Sequence, residues 1–362
     1  MGARCRRSRF RSRANDVSDA PSFWFADRGA LAHALVPAAA LYGRIAGSRM
    51  AATPKGEVEA PVICIGNYIV GGAGKTPVAL EIARIAAGTG RRPGFLSRGY
   101  RGAAPMPLVV DPQRHTSRDV GDEPLMLAAR HPTVVSPDRV KGARLLLEQD
   151  VDLVVMDDGL QNPGLLKDYS IAVVGARRGI GNGLVMPAGP LRAALGAQLA
   201  LTDAVAVVGQ PGVADHPSAR EIVRRAAKRA LPILRGQVLA VDGGRLADRK
   251  VLAFAGIGDP EKFFRTVEST GATIAHRTAF DDHRVYDPDT IGELLTRADR
   301  DDLTLVTTEK DAARLRGTGA KADELAARAA VLEVRLLFDD EGHVRRLIGN
   351  AITRARERRL RR

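Results

Sequence analysis

A glycine-rich turn that ends in Gly-Lys-Thr is the strongest chemical signal in this sequence. It follows an apolar run at residues 62–65 and precedes a helical pattern that opens at Val78. Strand, glycine loop and helix in this order are typical of a phosphate-binding loop, where backbone N–H groups and the helix N-terminus hold phosphate oxygens. We therefore predict a nucleotide-binding loop. Its residues are Ile69, Val70, Gly71, Gly72, Ala73, Gly74, Lys75 and Thr76.

Two side chains of this loop have a predicted chemical role. Lys75 would reach the terminal phosphates of a nucleotide, and the Thr76 hydroxyl would ligate Mg²⁺. The strict motif places a glycine where this chain has Ile69. The alternative is an ordinary turn that contains Gly-Lys-Thr by chance, but the flanking strand and helix favour the phosphate loop.

Two adjacent aspartates end the next strong strand pattern. Asp157 and Asp158 follow the apolar residues 153–156. A carboxylate at a strand end downstream of a phosphate loop matches the Walker B arrangement, in which it holds Mg²⁺ or its waters beside the loop threonine. Capping charge is the alternative for these acids. Their position at the end of a buried strand favours the metal role.

Other polar residues follow two further elements. Arg98 and Tyr100 end a short strand pattern, which places a cation and a phenol at the edge of a parallel sheet where ligands bind. Asp122 and Glu123 open a helical pattern. On chemistry alone, we interpret these two acids as stabilising charge at a helix N-terminus.

The elements that must position these residues alternate between strand and helix. Such alternation predicts parallel sheets, and 362 residues suffice for two domains. We predict an α/β fold, with a P-loop NTPase-like parallel-sheet domain at 51–230, a linker at 231–248 and a second, smaller α/β domain at 249–345. The second domain contains Thr-Thr-Glu-Lys-Asp, whose lysine comes one position late for a guanine-reading motif, so GTP specificity is not predicted.

A short apolar segment precedes the phosphate loop. The run between Arg28 and Arg44 is about 15 residues, against the roughly 20 that a helix needs to cross a bilayer. Three aromatic residues, 23–25, stand just before it. We predict that 21–50 forms a helix that lies in the membrane interface, and a helix packed on the domain body is the open alternative.

The net charge of +13 comes from the two ends of the chain. Residues 1–13 contain six arginines, and residues 345–362 contain eight arginines and one glutamate. The remaining body is neutral, so no nucleic-acid partner is predicted. We predict a disordered basic extension at 1–20 and a basic tail at 346–362, which either bind anionic lipid or are simply solvated. Cys5 and Cys64 are the only cysteines, which excludes a disulfide framework and fits a reducing cytoplasm.

Taken in order, seven motifs resemble those of tetraacyldisaccharide 4′-kinase, the lipid A 4′-kinase family of Gram-negative bacteria. They are GGAGKTP, SRGY, GDEP, DDGLQ, GNG with PAGPLR, Asp282-His283 and TTEKD, and the resemblance covers about residues 21–345. It implies a P-loop kinase at the cytoplasmic face of the inner membrane, peripheral or monotopic. Such a kinase transfers the γ-phosphate of ATP to the 4′-hydroxyl of an acylated glucosamine disaccharide 1-phosphate.

The resemblance also implies roles for individual residues. Asp122 would take the hydroxyl proton, which replaces its interpretation as a helix-terminal charge, and His283 from the second domain would pair with it. Asp157 and Asp158 would serve Mg²⁺ and water. Arg98 and Tyr100 would lie near the substrate.

Three positions depart from the family pattern. Ile69 stands where many members have Ser or Thr, Asn162 where many have His, and Arg284 replaces the second His of Asp-His-His. The alternative function, from a different class, is a P-loop nucleotide-dependent switch or metallochaperone GTPase. It would need a guanine motif and a switch threonine, and neither occurs at a suitable place in the sequence.

Overall fold

Two parallel-stranded sheets form the framework of the protein. The computed structural model describes residues 20–100, 102–241, 243–282 and 284–361. Within these residues one sheet has nine strands and the other has four. The strands are β1 Val62–Asn67, β2 Pro93–Ser97, β3 Leu108–Val109, β4 Thr133–Val135, β5 Leu153–Asp157, β6 Tyr169–Gly175, β7 Ala204–Gly209, β8 Ile233–Ala240, β9 Lys250–Ala255, β10 Thr273–Ala279, β11 Thr304–Thr308, β12 Ala330–Leu332 and β13 Val334–Phe338.

Helices follow most of the strands, as the alternating pattern predicts. Two short 3₁₀ helices, Ser22–Phe25 and Gly243–Leu246, accompany them. The α-helices are α1 Ala30–Ala34, α2 Val36–Met50, α3 Lys75–Ala87, α4 Ser117–Val120, α5 Asp122–Ala128, α6 Arg139–Leu147, α7 Leu195–Ala200, α8 Pro217–Ala227, α9 Pro260–Glu268, α10 Pro288–Arg300, α11 Glu309–Leu315, α12 Ala320–Arg328 and α13 Glu341–Leu360.

The strand order brings the chemically important segments to one sheet edge. The large sheet runs β13-β8-β7-β6-β1-β5-β2-β4-β3, and only its two end pairs are antiparallel. β1 lies between β5 and β6, with Ile65 opposite Asp157. Because parallel strands share a carboxyl edge, the segments that follow β1, β2 and β5 meet there. The predicted P-loop-like α/β fold with a second α/β domain is confirmed.

The C-terminal segment differs from the basic tail predicted at 346–362. Helix α13 covers most of that range, and its buried residues Leu347, Ile348 and Ala351 join the core formed by α3 and the large sheet. Two of its arginines bind acids of the first domain: Arg354 contacts Asp203, and Arg358 contacts Asp168 and Glu57. The arginines thus line the exposed side of a packed helix.

The small sheet, in the order β10-β9-β11-β12, forms the second domain. Two of its core clusters lie on opposite faces of the sheet, one around Phe254 and one around Phe264. The predicted linker at 231–248 contains β8, which belongs to the large sheet and pairs antiparallel with β13. The chain enters and leaves the second domain through these two neighbouring strands.

The N-terminal segment forms two helices instead of one. The break falls at Leu35, two residues before Pro37, because the proline has no N–H to donate to the carbonyl four residues earlier and its ring clashes with that carbonyl. α2 packs beside α7 and against Val185. Its other side presents Leu41, Tyr42 and Ile45, and these three residues with Leu31 of α1 are what we call the exposed apolar stripe. No helix in the described part of the chain combines the length and apolarity required to cross a membrane.

Candidate active site

The phosphate loop turns at two glycines. Gly71 and Gly74 have φ of 106° and 91°, a left-handed region that favours glycine. Gly74 is the N-cap of α3, and Lys75 and Thr76 are the first two helical residues. The positive end of the helix therefore opens directly into the loop, which is the backbone arrangement that binds phosphate.

Ile69 replaces the glycine of the strict motif for a visible reason. Among the described loop residues, positive φ occurs only at Gly71 and Gly74, so position 69 does not require glycine. The Ile69 side chain is buried in the apolar cluster around Tyr68. Its carbonyl oxygen accepts a hydrogen bond from Nε of Arg192, at 3.0 Å. At this position the buried side chain packs against the core, and the conformational freedom of a glycine is not needed.

Asp157 and Asp158 stand beside this loop in different electrostatic states. Asp157 ends β5 and is only 1% exposed, and burial raises its pKa to about 7, with the charge of Glu123 adding to the rise. Burial acts on Asp158 as well, but Lys75 and Arg192 overcome it and hold the pKa of Asp158 below its ordinary value. The lysine Nζ lies 3.7 Å from Oδ1 of Asp158, and Nη2 of Arg192 lies 3.1 Å from Oδ2.

The two aspartates and Thr76 fit a Mg²⁺ ion. In the described part of the chain, both carboxylate oxygens of Asp157 are buried without a hydrogen-bond partner, and Oδ1 of Asp158 is too. Mg²⁺ binds such hard oxygens and usually completes its shell with water and substrate phosphates. No group of three or more His, Cys, Asp or Glu side chains in the described residues could hold a metal unaided. The Thr76 hydroxyl and nucleotide oxygens would therefore complete the site.

Asp122 faces the loop from the first turn of α5, and two cations from the second domain meet this turn. Nε and Nη2 of Arg314 donate to Oδ2 of Asp122, at 3.3 and 3.2 Å. Lys310 Nζ forms a short ion pair with Glu123. Lys310 is the main cause that lowers the pKa of Glu123. Asp122 and Glu123 both lie in the first turn of α5, after the N-cap Gly121, which is where acidic side chains stabilise a helix N-terminus.

A buried carboxylate in the second domain aims Arg314 at Asp122. Asp311 accepts hydrogen bonds from the Tyr286 hydroxyl at 2.7 Å, from Nη1 of Arg314 at 3.0 Å and from the backbone N–H of Gly256 at 3.1 Å. It also accepts from Thr308 at 2.6 Å. The aspartate of the Thr-Thr-Glu-Lys-Asp motif is thus occupied inside its own domain. This occupancy argues physically against a guanine-reading role.

One cavity of about 1060 Å³ brings these groups together. Arg98 and Tyr100 both line it, and both side chains are exposed to solvent. Of the Asp282-His283 pair, Asp282 also lines the cavity, whereas His283 lies outside the described residues. The cavity lining includes the predicted loop from Val70 to Thr76, together with Asp122, Asp158 and Lys310.

Three cations at the site had no predicted role, namely Arg192, Lys310 and Arg314. Arg192 belongs to the predicted Pro-Leu-Arg motif, and its Nη1 also reaches Gln161 at 3.3 Å. Lys310 belongs to the Thr-Thr-Glu-Lys-Asp motif, which is the sequence signal that points to it. For Arg314 a sequence signal exists only in its spacing, three residues after Asp311 on one helix face.

The two other departures from the family pattern have local structural roles. Asn162 accepts the backbone N–H of Gly164 at 2.7 Å. Arg284 stacks over the Phe280 ring at 5.1 Å and contacts Asp287 at 3.1 Å. Both side chains make local contacts, and neither lines the cavity.

Comparisons with known proteins agree on one family. The profile described as tetraacyldisaccharide-1-P 4′-kinase matches residues 31–353. The tetraacyldisaccharide 4′-kinase of Rhizobium etli (strain CIAT 652) is 49% identical over 345 residues, which is 95% of this chain and 98% of that protein. The protein of the same name from Rhizobium rhizogenes is 48% identical, with 95% and 96% covered.

A solved structure matches the fold. It is the crystal structure of LpxK from Aquifex aeolicus in complex with ATP, with a TM-score of 0.66 and 24% sequence identity. The match covers 89% of this chain and 99% of that one. At this identity the similarity supports the two-domain architecture.

Proposed function

The chain belongs to the tetraacyldisaccharide-1-P 4′-kinase family and is a kinase of lipid A biosynthesis, and we propose that it works with the cavity described above. Its phosphate donor is ATP, and its acceptor is the 4′-hydroxyl of a tetraacylated glucosamine disaccharide 1-phosphate. The observation that supports this site is the convergence of Lys75, Asp158 and Asp122 on one cavity, from the N-termini of two helices and the end of a buried strand.

The nucleotide side of the reaction is assigned to the phosphate loop. Residues 69–76 bind the phosphates, and the Lys75 ammonium stabilises the charge that spreads over the γ-phosphoryl oxygens. Thr76, Asp157 and Asp158 would hold Mg²⁺, which when bound neutralises charge on the β- and γ-phosphates. Arg192 binds both the Asp158 carboxylate and the Ile69 carbonyl, so it holds Asp158 in a fixed position relative to the loop.

The acceptor side is assigned to the first turn of α5. Asp122 takes the proton of the sugar hydroxyl, since a hydroxyl becomes a competent nucleophile only as it loses that proton. Arg314 orients this carboxylate through two hydrogen bonds. His283 pairs with Asp122 from the second domain, and Arg98 and Tyr100 contact the substrate at the cavity mouth.

The lipid reaches this site from a membrane surface. The exposed stripe of the N-terminal helices is apolar, and two of its members, Tyr42 and Ile45, also line the cavity. A helix lying in the interface would bury the stripe and place the cavity mouth at headgroup level. The acyl chains then stay in the bilayer while the sugar enters the cavity. We assign the protein to the cytoplasmic face of the inner membrane as a peripheral or monotopic enzyme.

Transfer of a radiolabelled γ-phosphate from ATP to the tetraacyldisaccharide 1-phosphate tests this function. Lys75→Ala should lower kcat by roughly 10²-fold or more, because it removes a cation aimed at the transferring group. The matched control is Lys141→Ala, which removes an exposed lysine of α6 and should retain wild-type turnover. Turnover of Lys75→Ala within about threefold of wild type would contradict the assignment, since a lost charge-stabilising group costs far more.

A further inference from the structure

A second cavity, of about 460 Å³, lies beside the N-terminal helices and next to the first one: Val185 and Leu191 line it, and their chain neighbours Met186 and Arg192 line the first. Its volume is within the range of ligand-binding clefts. Among the described residues, none lines both cavities. The apolar lining comes from α2, from the loop after β6 and from α7, and includes Val36, Ala40, Ile180, Leu184, Val185 and Leu195. We call this cavity the α2 groove.

Arginines form one rim of the α2 groove. Arg28 and Arg225 line it together with Glu221. Glu221 is paired twice, with Nε of Arg225 at 2.7 Å and with Arg224 in a shorter contact. The two arginines and one carboxylate of the lining give the rim a net charge of +1, and Arg224, which does not line the groove, also pairs with that carboxylate. An apolar cleft with a cationic rim matches a molecule that has a hydrocarbon chain and an anionic head.

The floor of the α2 groove is fixed before any ligand binds. Asn182 donates its backbone N–H to the Trp24 carbonyl at 2.7 Å and its side-chain amide to the Ala188 carbonyl at 3.0 Å. Its side-chain oxygen accepts the N–H of Leu184 at 3.0 Å. The Asn182 carbonyl in turn accepts from Nε of Arg28 at 3.0 Å, which holds that guanidinium at the rim. Such preorganisation reduces the ordering cost of binding.

We propose that the α2 groove binds one acyl chain of an anionic glycerophospholipid, with the lipid phosphate between Arg28 and Arg225. The proposal rests on the membrane attachment argued above. The groove runs along the same helix that presents the exposed apolar stripe, so a helix lying in the interface brings its mouth to the level of the lipid headgroups. The bound lipid would fix the enzyme to an anionic leaflet.

Two other occupants fit the α2 groove less well. Residues 1–13 of this chain contain six arginines and no acid, so the cationic rim repels them. An acyl chain of the substrate is apolar, but the sugar that bears it must place its 4′-hydroxyl in the other cavity. A phospholipid brings a chain and a phosphate to the groove without having to reach the other cavity.

Native mass spectrometry of the full chain in nonionic detergent tests the proposal, with phosphatidylglycerol and phosphatidylcholine as probes. We expect one retained phosphatidylglycerol per chain and weaker retention of phosphatidylcholine. Ala40→Trp fills the groove and should weaken phosphatidylglycerol binding by about tenfold or more, because displacing even two methylene groups is enough for that loss. Ala38→Trp, on the same helix but outside the groove, should bind as wild type does.

A charge reversal at the rim gives a second, independent comparison. Arg225→Glu should lose the preference for phosphatidylglycerol over phosphatidylcholine. Arg220→Glu changes the net charge equally on the same helix outside the lining, and should keep that preference. Kinase turnover in detergent should be unchanged in all four variants.

Three results would overturn the proposal. They are equal binding of both lipids by wild type, wild-type binding by Ala40→Trp, and displacement of phosphatidylglycerol by the tetraacyldisaccharide with a raised KM in Ala40→Trp. The last result would assign the groove to the substrate. Vesicle flotation of the same samples separates the two proposals: wild type that floats without retaining a lipid contradicts only the groove, and wild type that does not float contradicts the membrane attachment.

Discussion

Asp157 combines complete burial with two carboxylate oxygens that lack a hydrogen-bond partner in the described part of the chain. Burial raises its pKa to about 7, above the value near 3.8 expected for the unfolded chain. Between these two values the folded protein binds the proton that the unfolded chain has released. The free energy of unfolding therefore falls as pH rises from about 4 to about 7 and is level above that range.

The cost of burying the charged Asp157 carboxylate gives a prediction for Asp157→Asn, which removes the charge and keeps the shape of the side chain. At pH 8 without Mg²⁺ the variant should be more stable than wild type by on the order of 4 kcal/mol, because it never buries a carboxylate. Near pH 4 the difference should vanish. Denaturant unfolding at both pH values measures it. Added Mg²⁺ should narrow the gap at pH 8 by stabilising wild type, and an equal gap at both pH values would contradict the account.

At the level of elements, sequence patterns predicted the large sheet and its phosphate loop because those strands are apolar throughout. The C-terminal helix was missed because its buried residues are separated by arginines. Its composition resembles that of a tail, and only the surface offered by α3 shows that Leu347 and Ile348 have a core to enter. The stability of such a helix comes from tertiary packing and cannot be predicted from the local sequence.

Because α13 is packed into the core, truncating one of its buried side chains should lower the free energy of unfolding, which would not happen in a solvated tail. Leu347→Ala should lower the free energy of unfolding by about 2–5 kcal/mol, because it leaves a cavity beside α3. Leu360→Ala, at the exposed end of the same helix, should change it by less than about 0.5 kcal/mol. Urea denaturation measures the free energy of unfolding of the two variants. Equal values for both would indicate that residues 346–362 are a solvated tail.

The exposed apolar stripe predicts where the membrane is bound. Replacing both Leu41 and Ile45 by Glu should abolish flotation with anionic vesicles, because it places two charges in the surface that would enter the interface. Leu337→Glu together with Leu360→Glu alters two exposed leucines elsewhere and should leave flotation intact. Removing residues 1–20 tests the other candidate anchor. If that removal alone releases the protein, the arginines are the anchor and the stripe is not.

At the scale of the whole molecule, the proposed active site is completed where the two domains meet. Lys310 and Arg314 cross from α11 to the acids that open α5, and Arg178 donates to the Gly258 carbonyl at 3.1 Å on the other side of the cavity. Asp122 and Lys310 belong to motifs that the sequence shows, whereas Arg314 lies outside them. The pairing across the domains could not be predicted, because Asp122 and Arg314 are 192 positions apart and no local pattern relates them.

The last prediction concerns Asp122 and His283 as one unit assembled by domain contact. Asp122→Ala would remove one of the two carboxylates that the buried Arg314 binds. Asp122→Asn is the sharper variant, since it keeps an oxygen for Arg314 but cannot take a proton. Asp122→Asn should lower kcat by about 10²–10⁴-fold, the range for a lost general base. His283→Gln should also lower kcat, whereas His276→Gln, a histidine of the same domain that contacts Asp301 and does not line the cavity, should not.

The double variant decides whether the two residues act together. Groups that work as a unit are strongly non-additive, so Asp122→Asn with His283→Gln should be little slower than the poorer single variant. Thermal unfolding of each protein, run in parallel, must stay near wild type for the rates to be interpreted as chemistry. If the fold-loss in kcat of the double variant equals the product of the two single losses, Asp122 and His283 act independently. A His283→Gln enzyme at the wild-type rate would leave Asp122, oriented by Arg314, as a base that needs no histidine.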